Sequence, residues 1–146
     1  MPFPVAPYDT CSFCLDLSGE RECAFVTEND RAAALVDERQ YERGAILIIP
    51  RHHRETILDI EDSELEAVYA LAKRMAMAAE RAYGAVGANI YQNNGLKASQ
   101  HEPHFHVHVV PKYEDSESEK LFLQWDYEVI PIEEQRQIAS ILRDAL

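Results

Sequence analysis

The sequence predicts an α+β domain in which a mainly antiparallel sheet packs against one long helix and a short C-terminal helix. Two observations carry this. Short apolar runs of strand length flank a single long stretch of helical period, residues 62–83, and the order reads strands, helix, strands, helix. No internal repeat or low-complexity linker divides the chain, so its 146 residues are expected to form one domain. A chain of this length buries roughly two thirds of the surface it exposes when unfolded and needs no covalent staple.

Composition is that of a globular protein, with 47% hydrophobic and 27% charged residues, which argues against disorder, collagen and coiled coil. Charge is less ordinary: 14 Lys+Arg against 26 Asp+Glu leave −12 at pH 7. Such a surface repels nucleic acid and anionic membranes at long range, and neither is expected as a partner. It also repels small anions unless local donors hold them. No run approaches the ~18 apolar residues of a membrane span. The start, Met1 to Pro7, carries no basic or apolar leader pattern, so a soluble cytoplasmic protein is expected.

The first ten residues, with three prolines, predict an irregular lead-in. Cys23–Val26 and Ala32–Val36 read as a hairpin turning at Thr27, Asn29 and Asp30. Ala45–Ile49 is unbroken apolar sequence, the pattern of a strand buried on both faces, and Pro50 ends it. From Asp62 to Tyr83, apolar residues (Leu65, Val68, Ala72, Met75, Ala76, Ala79, Tyr83) recur at steps of three and four. Asp62 and Glu64 suit the first turn of that helix, Gly84 suits its stop, and Met75 and Met77 read as packing residues. Ala88–Asn93 and His104–Val110 read as strands joined by a polar loop, Asn94–Pro103. Glu114–Lys120 is acidic and predicts a solvated loop, followed by an aromatic segment with Phe122, Trp125 and Tyr127. Ile138, Ile141, Leu142 and Ala145 predict the short terminal helix.

The sharpest local signal is His104-Phe105-His106-Val107-His108-Val109-Val110. Side chains of a strand alternate, so His104, His106 and His108 share one face, while Phe105, Val107 and Val109 share the core face. Three imidazoles in a row are costly to bury without a partner, and chance placement beside a fully apolar opposite face is improbable. They can hold a metal with an open position for water, or one can act as nucleophile while its neighbours bind the anion it attacks. The loop Asn93-Asn94-Gly95-Leu96-Lys97-Ala98-Ser99-Gln100 is rich in amide donors, which bind phosphate oxygens without net charge. Cys11 and Cys14 form a C-x-x-C pair, which without a secretion signal reads as a metal or redox pair before a disulfide; Cys23 reads as a buried apolar residue.

The run His104 to Val110 resembles, at every position, the His-φ-His-φ-His-φ-φ signature of the histidine triad (HIT) superfamily of nucleotidyl hydrolases and transferases. Gly87-Ala88-Asn89, Asn93-Asn94-Gly95, Gln100 and Ile46-Leu47-Ile48-Ile49-Pro50-Arg51-His52-His53 fall at the spacing that family uses. The likeness runs from about Cys11 to Lys112, giving a domain core at about 11–112 with a C-terminal extension at 113–146.

The resemblance implies a HIT-like fold and a hydrolase of nucleoside phosphoramidates or dinucleoside polyphosphates, with purine nucleotides as substrates. It makes His106 the nucleophile on the α-phosphorus, a role that a neutral imidazole suits. It places His104 beside it, sets His108 and Gln100 on the phosphate or bridging atom, and puts Asn93 at the phosphate end. Asp37, 13 residues before Pro50, falls where the family places an acid on the ribose, and Phe13 where an aromatic lines the base pocket. Where members often read Ala-Gly-Gln-Thr/Ser-Val, this chain has Ala98-Ser99-Gln100-His101-Glu102, so His101 replaces a hydroxyl and becomes the candidate leaving-group acid.

The resemblance further implies a structural zinc on Cys11, Cys14, His53 and His104, with His52 as the alternative to His53. It implies no catalytic metal, magnesium carried in only with polyphosphate substrates, and a homodimer with the long helix and a neighbouring strand in the interface. Two other readings stay open: a low-turnover nucleotide-binding regulatory module, and a metallohydrolase using the triad histidines as ligands.

Overall fold

The computed structural model describes residues 1–117 and 127–146. Phe122 and Trp125 of the aromatic segment, and the end of the acidic stretch through Lys120, lie outside the described residues.

The lead-in is irregular as expected, but the C-x-x-C pair sits on a short helix, α1 (Ser12–Ser18). The Cys11 sulfur accepts from the Cys14 amide at 3.4 Å, and Gly19, at φ 81°, closes the helix in the left-handed conformation that glycine adopts without strain. The hairpin follows as β1 (Phe25–Glu28) and β2 (Ala32–Val36). Its first strand starts two residues later than expected and takes in Thr27. Asn29 makes the turn, its side-chain oxygen accepting from the amides of Arg31 and Ala32. A two-residue strand, β3 (Arg39–Gln40), precedes β4 (Ile46–Pro50), which is buried throughout.

α2 spans Asp62–Tyr83, as its periodicity predicts, and Gly84 caps it at φ 70°. Val68, Leu71, Ala72, Met75, Ala78 and Ala79 form its buried stripe. Met77 lies off that stripe and is 43% exposed, so of the two methionines only Met75 is a packing residue. Next come β5 (Gly87–Gln92), a 3-10 turn at Leu96–Ala98, and β6 (Val107–Lys112). β7 (Glu128–Val129) pairs with β3, and α3 (Ile132–Asp144) ends the chain. α3 is longer than expected and turned differently: Gln135, Ile138, Ala139 and Leu142 are buried, while Ile141 falls outside that stripe and is exposed.

The main sheet is antiparallel throughout, in the order β1-β2-β4-β6-β5. Alternation divides β2 and β4 between two layers. Ala32, Ala34, Val36, Ile46 and Ile48 pack toward α2 and α3 with Phe105, Val107 and Val109. Ala33, Leu35, Leu47 and Ile49 face the other way, against Cys11, Phe13 and partly buried Cys14, Leu17, Cys23 and Phe25. Cys23 is therefore half-buried rather than a core residue. The N-terminal segment thus lies on the sheet face opposite the long helix, which is the face that carries the triad.

The triad strand begins at Val107 rather than His104. The β4–β6 ladder stops at the Ile48–Val107 pair. Beyond it the chain bonds differently: the Phe105 amide donates to the Arg54 carbonyl at 2.6 Å, and the His104 ring meets the Pro50 carbonyl at 3.0 Å. Side-chain alternation nevertheless persists through residues 105–109.

Candidate active site and metal centre

A cavity opens on the triad face of the sheet. His106 and His108 line it from the triad strand, Phe13 and Asp16 from α1, Leu35, Asp37 and Leu47 from the sheet, and Tyr91 and Asn93 from β5 and its exit. Ser99, His101 and Glu102 close it from the polar loop, and Arg21 and Arg39 bring positive charge to its wall.

His106 Nδ1 lies 2.8 Å from the backbone carbonyl of His104. A carbonyl only accepts, so Nδ1 carries the proton and donates, leaving the lone pair on Nε2. Nε2 has no partner among the described residues. Burial pushes the pKa of the ring down, against the raising effect of that carbonyl, so His106 is neutral at neutral pH. The edge of the Phe13 ring lies against it, with centroids 5.3 Å apart, which fixes its plane.

His108 stacks on Tyr91, its cross-strand partner, with centroids 4.3 Å apart and planes within 5°. Its Nδ1 is buried without a hydrogen bond among the described residues and stands 3.9 Å from Asp37 Oδ2. Burial, followed by the charges of His106 and Arg39, lowers its pKa to about 3. Asp37 is buried at the end of β2, where its Oδ1 accepts from the Arg39 amide at 2.9 Å. Burial raises its carboxyl to about 7 against that bond.

The polar loop divides in role. Asn93 lines the cavity and its amide donates weakly, at 3.4 Å, to the Ser99 carbonyl. Ser99 holds φ 64°, a left-handed conformation uncommon for a residue with a Cβ. Gln100, expected at the phosphate, is buried beneath the loop and lies outside the cavity lining. Its Oε1 accepts from the Gly95 amide at 2.7 Å, and its Nε2 donates to the Glu55 and Glu102 carbonyls at 2.7 and 2.9 Å. The Glu102 carboxylate accepts from the Ser12 hydroxyl at 2.8 Å, which ties the loop to α1.

His104 does not line the cavity. It sits behind Phe13 with Cys11, Cys14 and His53, and one ligand atom from each of these four falls within 4.8 Å of the others. Two sulfurs and two imidazoles could hold a metal ion. The histidine tautomers fit that use. His104 Nε2 donates to the Pro50 carbonyl, so Nδ1, 3.3 Å from the Cys11 sulfur, carries the lone pair. The Tyr8 hydroxyl donates to Glu55 at 2.8 Å and so accepts from His53 Nε2 at 2.8 Å, which frees His53 Nδ1, 3.3 Å from the Cys14 sulfur. Burial, then contact with Cys11, pushes the Cys14 thiol up to about 11, so a Cys14 thiolate here calls for a bound cation. His52, the alternative ligand, instead meets Glu64 Oε1 at 2.9 Å. Of the triad, this group contains His104 and neither His106 nor His108.

Sequence reasoning missed Tyr91, Asp16, Arg21 and Arg39 as cavity residues, whereas Ser99 lies in the loop it singled out. For Tyr91 the signal was present: it shares the strand period of Asn93. For Asp16 it was the i, i+3 step from Phe13. Nothing in the sequence marks Arg21 or Arg39.

The HIT domain family profile matches residues 18–115, and the chain belongs to that family. An uncharacterised 16.1 kDa HIT-like protein of Mycoplasma pneumoniae is 38% identical over 106 residues, which is 73% of this chain and 74% of that protein. The adenosine 5'-monophosphoramidase of Schizosaccharomyces pombe is 29% identical over 103 residues, covering 70% of this chain and 74% of that one. Among solved structures, a zinc-bound histidine triad family protein from Mycobacterium smegmatis superposes with a TM-score of 0.80 at 28% identity, over 93% of this chain and 92% of that one. The family includes nucleotide hydrolases, and this fold is theirs.

Proposed function

We propose that the protein hydrolyses nucleoside phosphoramidates or dinucleoside polyphosphates, with purine nucleotides as substrates, through a nucleotidyl intermediate on His106. The observation that carries this reading is the His106 ring, whose Nδ1 is bound to the His104 carbonyl and whose Nε2 has no partner among the described residues. Nε2 attacks the α-phosphorus, a P–N bond forms, and the bond to the amine or phosphate leaving group breaks. Positive charge developing on the ring is shared with the His104 carbonyl, which the ring already faces. Water then attacks the same phosphorus, the P–N bond to His106 breaks, and the nucleoside monophosphate leaves.

The neighbouring side chains take roles that their positions support. His108, neutral and held flat by Tyr91, contacts the phosphate. Asn93 and the loop amides bind its oxygens without net charge, which suits an acidic chain. Asp37 accepts from the ribose hydroxyls, Phe13 packs on the nucleoside, and His101 donates the proton to the leaving group. Gln100 acts by bracing the loop. His104 serves the cysteine-side centre, where zinc on Cys11, Cys14, His53 and His104 would supply a closed cross-link between α1 and the triad segment. The reading requires no catalytic metal, and polyphosphate substrates would bring magnesium with them.

A homodimer is part of the same proposal. β5 is an edge strand, and Ile90 on it, Val86 before it, and Tyr69 and Met77 on α2 are exposed. The testing experiment is turnover of adenosine 5'-phosphoramidate by the wild type and by His106→Ala. The reading predicts hydrolysis by the first and at least a thousandfold less, roughly, by the second.

A further inference from the structure

The cavity extends past Phe13 to a pair of charged residues that the proposed chemistry does not use. Asp16 stands one helical turn after Phe13, about 5 Å along α1, and lines the same cavity. Its side chain is only 2% exposed, and its Oδ1 makes no hydrogen bond among the described residues. Arg21 Nε forms an ion pair with that oxygen at 3.5 Å without making a hydrogen bond to it, and Arg21 Nη2 lies 3.8 Å from Glu38 Oε1. A buried carboxylate oxygen left without a donor is costly unless a ligand supplies one.

A phosphate is not that ligand, because the carboxylate would repel it. With the phosphate beside His106, the group that reaches Asp16 is the far end of the nucleotide, its base. Leu35 and Phe13 accept the flat face of any base, so discrimination falls to the polar pair. A carboxylate beside a guanidinium matches an edge that sets N–H donors next to a carbonyl. Guanine has that edge, with N1–H and the N2 amino group as donors beside O6. Adenine has no carbonyl there, and its N6 amino group leaves one fewer bond to this pair.

We propose that Asp16 and Arg21 read the base, Asp16 accepting from its N–H groups and Arg21 donating to its carbonyl, so that the site prefers guanine to adenine. The proposal rests on the nucleotide reading of the cavity and names its substrate class further.

The test is calorimetric binding of GMP, IMP and AMP to the full chain, with Asp16→Asn and Arg21→Gln as variants and a thermal melt as the check on folding. The expected result is GMP binding about tenfold or more tighter than AMP, with IMP between them, and either variant bringing the GMP:AMP ratio to within about threefold. Should Asp16→Asn fail to fold, Arg21→Gln, on a more exposed side chain, carries the test alone. Equal binding of GMP and AMP by the wild type, or an unchanged preference in the folded variants, overturns the base assignment and leaves the nucleotide reading intact. Binding of none of the three overturns both.

Discussion

The His106 ring donates from Nδ1 to the carbonyl of His104 across 2.8 Å, while the His104 ring turns away and bonds the Pro50 carbonyl through Nε2. One residue therefore serves two sites: its backbone orients the candidate nucleophile and its side chain faces the cysteines. The triad is divided between a cavity and a group that could hold a metal, set by which atoms of His104 point where.

That division makes the metal group testable without any assay of turnover. Replacing Tyr8 by Phe removes the hydroxyl that accepts from His53 and donates to Glu55. Zinc affinity, read by competition with a chelating dye, is expected to fall by about tenfold. Affinity equal to that of the wild type would show that the hydroxyl does not orient His53.

Glu64 links the α2 N-terminus to the segment carrying His52 and Arg54. Its carboxylate accepts from Arg54 Nε at 2.8 Å, from the Glu61 amide at 3.0 Å and from His52. Burial raises its pKa, but these bonds outweigh burial and bring it to about 2. The stabilisation is therefore present above the unfolded-state value near 4.5 and is lost as pH falls toward 2. Glu64→Gln should cost about 2 kcal/mol at pH 7, and the difference from wild type should shrink on acidification, as read by urea denaturation.

Asp37 runs the other way. Burial raises its carboxyl from 3.8 to about 7, so its protonated form is the one the fold favours. That contribution is full below the unfolded pKa and is lost as pH rises through about 7. Asp37→Asn, which mimics the protonated acid, should gain on the wild type by up to about 4 kcal/mol between pH 4 and pH 7. Parallel stability curves for the two proteins across that window would contradict the burial argument.

The parts legible in the sequence are those where one local pattern decides. α2 matches its predicted span because 22 residues repeat one period and end at a glycine. β4 is legible because every residue in it is apolar and buried. α1 was missed because seven residues carry too little period, and it is held by a cysteine sulfur and by packing on the sheet. The start of β6 was misplaced because alternation reports side-chain direction and not whether a partner strand is there to bond. In the site, Cys11 and Cys14 were legible as a pair from residue type and spacing, His53 and His104 only through the family resemblance, and the structure sets the four together. The resemblance placed Gln100 on the substrate side; an amide serves equally as ligand donor or loop brace, and its three backbone partners support the brace. Asp16 and Arg21 look like ordinary charged surface residues until α1 turns one of them inward.

The central claim is that His106 becomes covalently nucleotidylated, and the most direct measurement is the intact mass of the protein quenched in base during turnover of adenosine 5'-phosphoramidate. The account predicts one added adenylyl group per chain, mapped to His106 and absent from His106→Ala. Steady turnover with no adduct at any time point, or hydrolysis by His106→Ala at the wild-type rate, would contradict it.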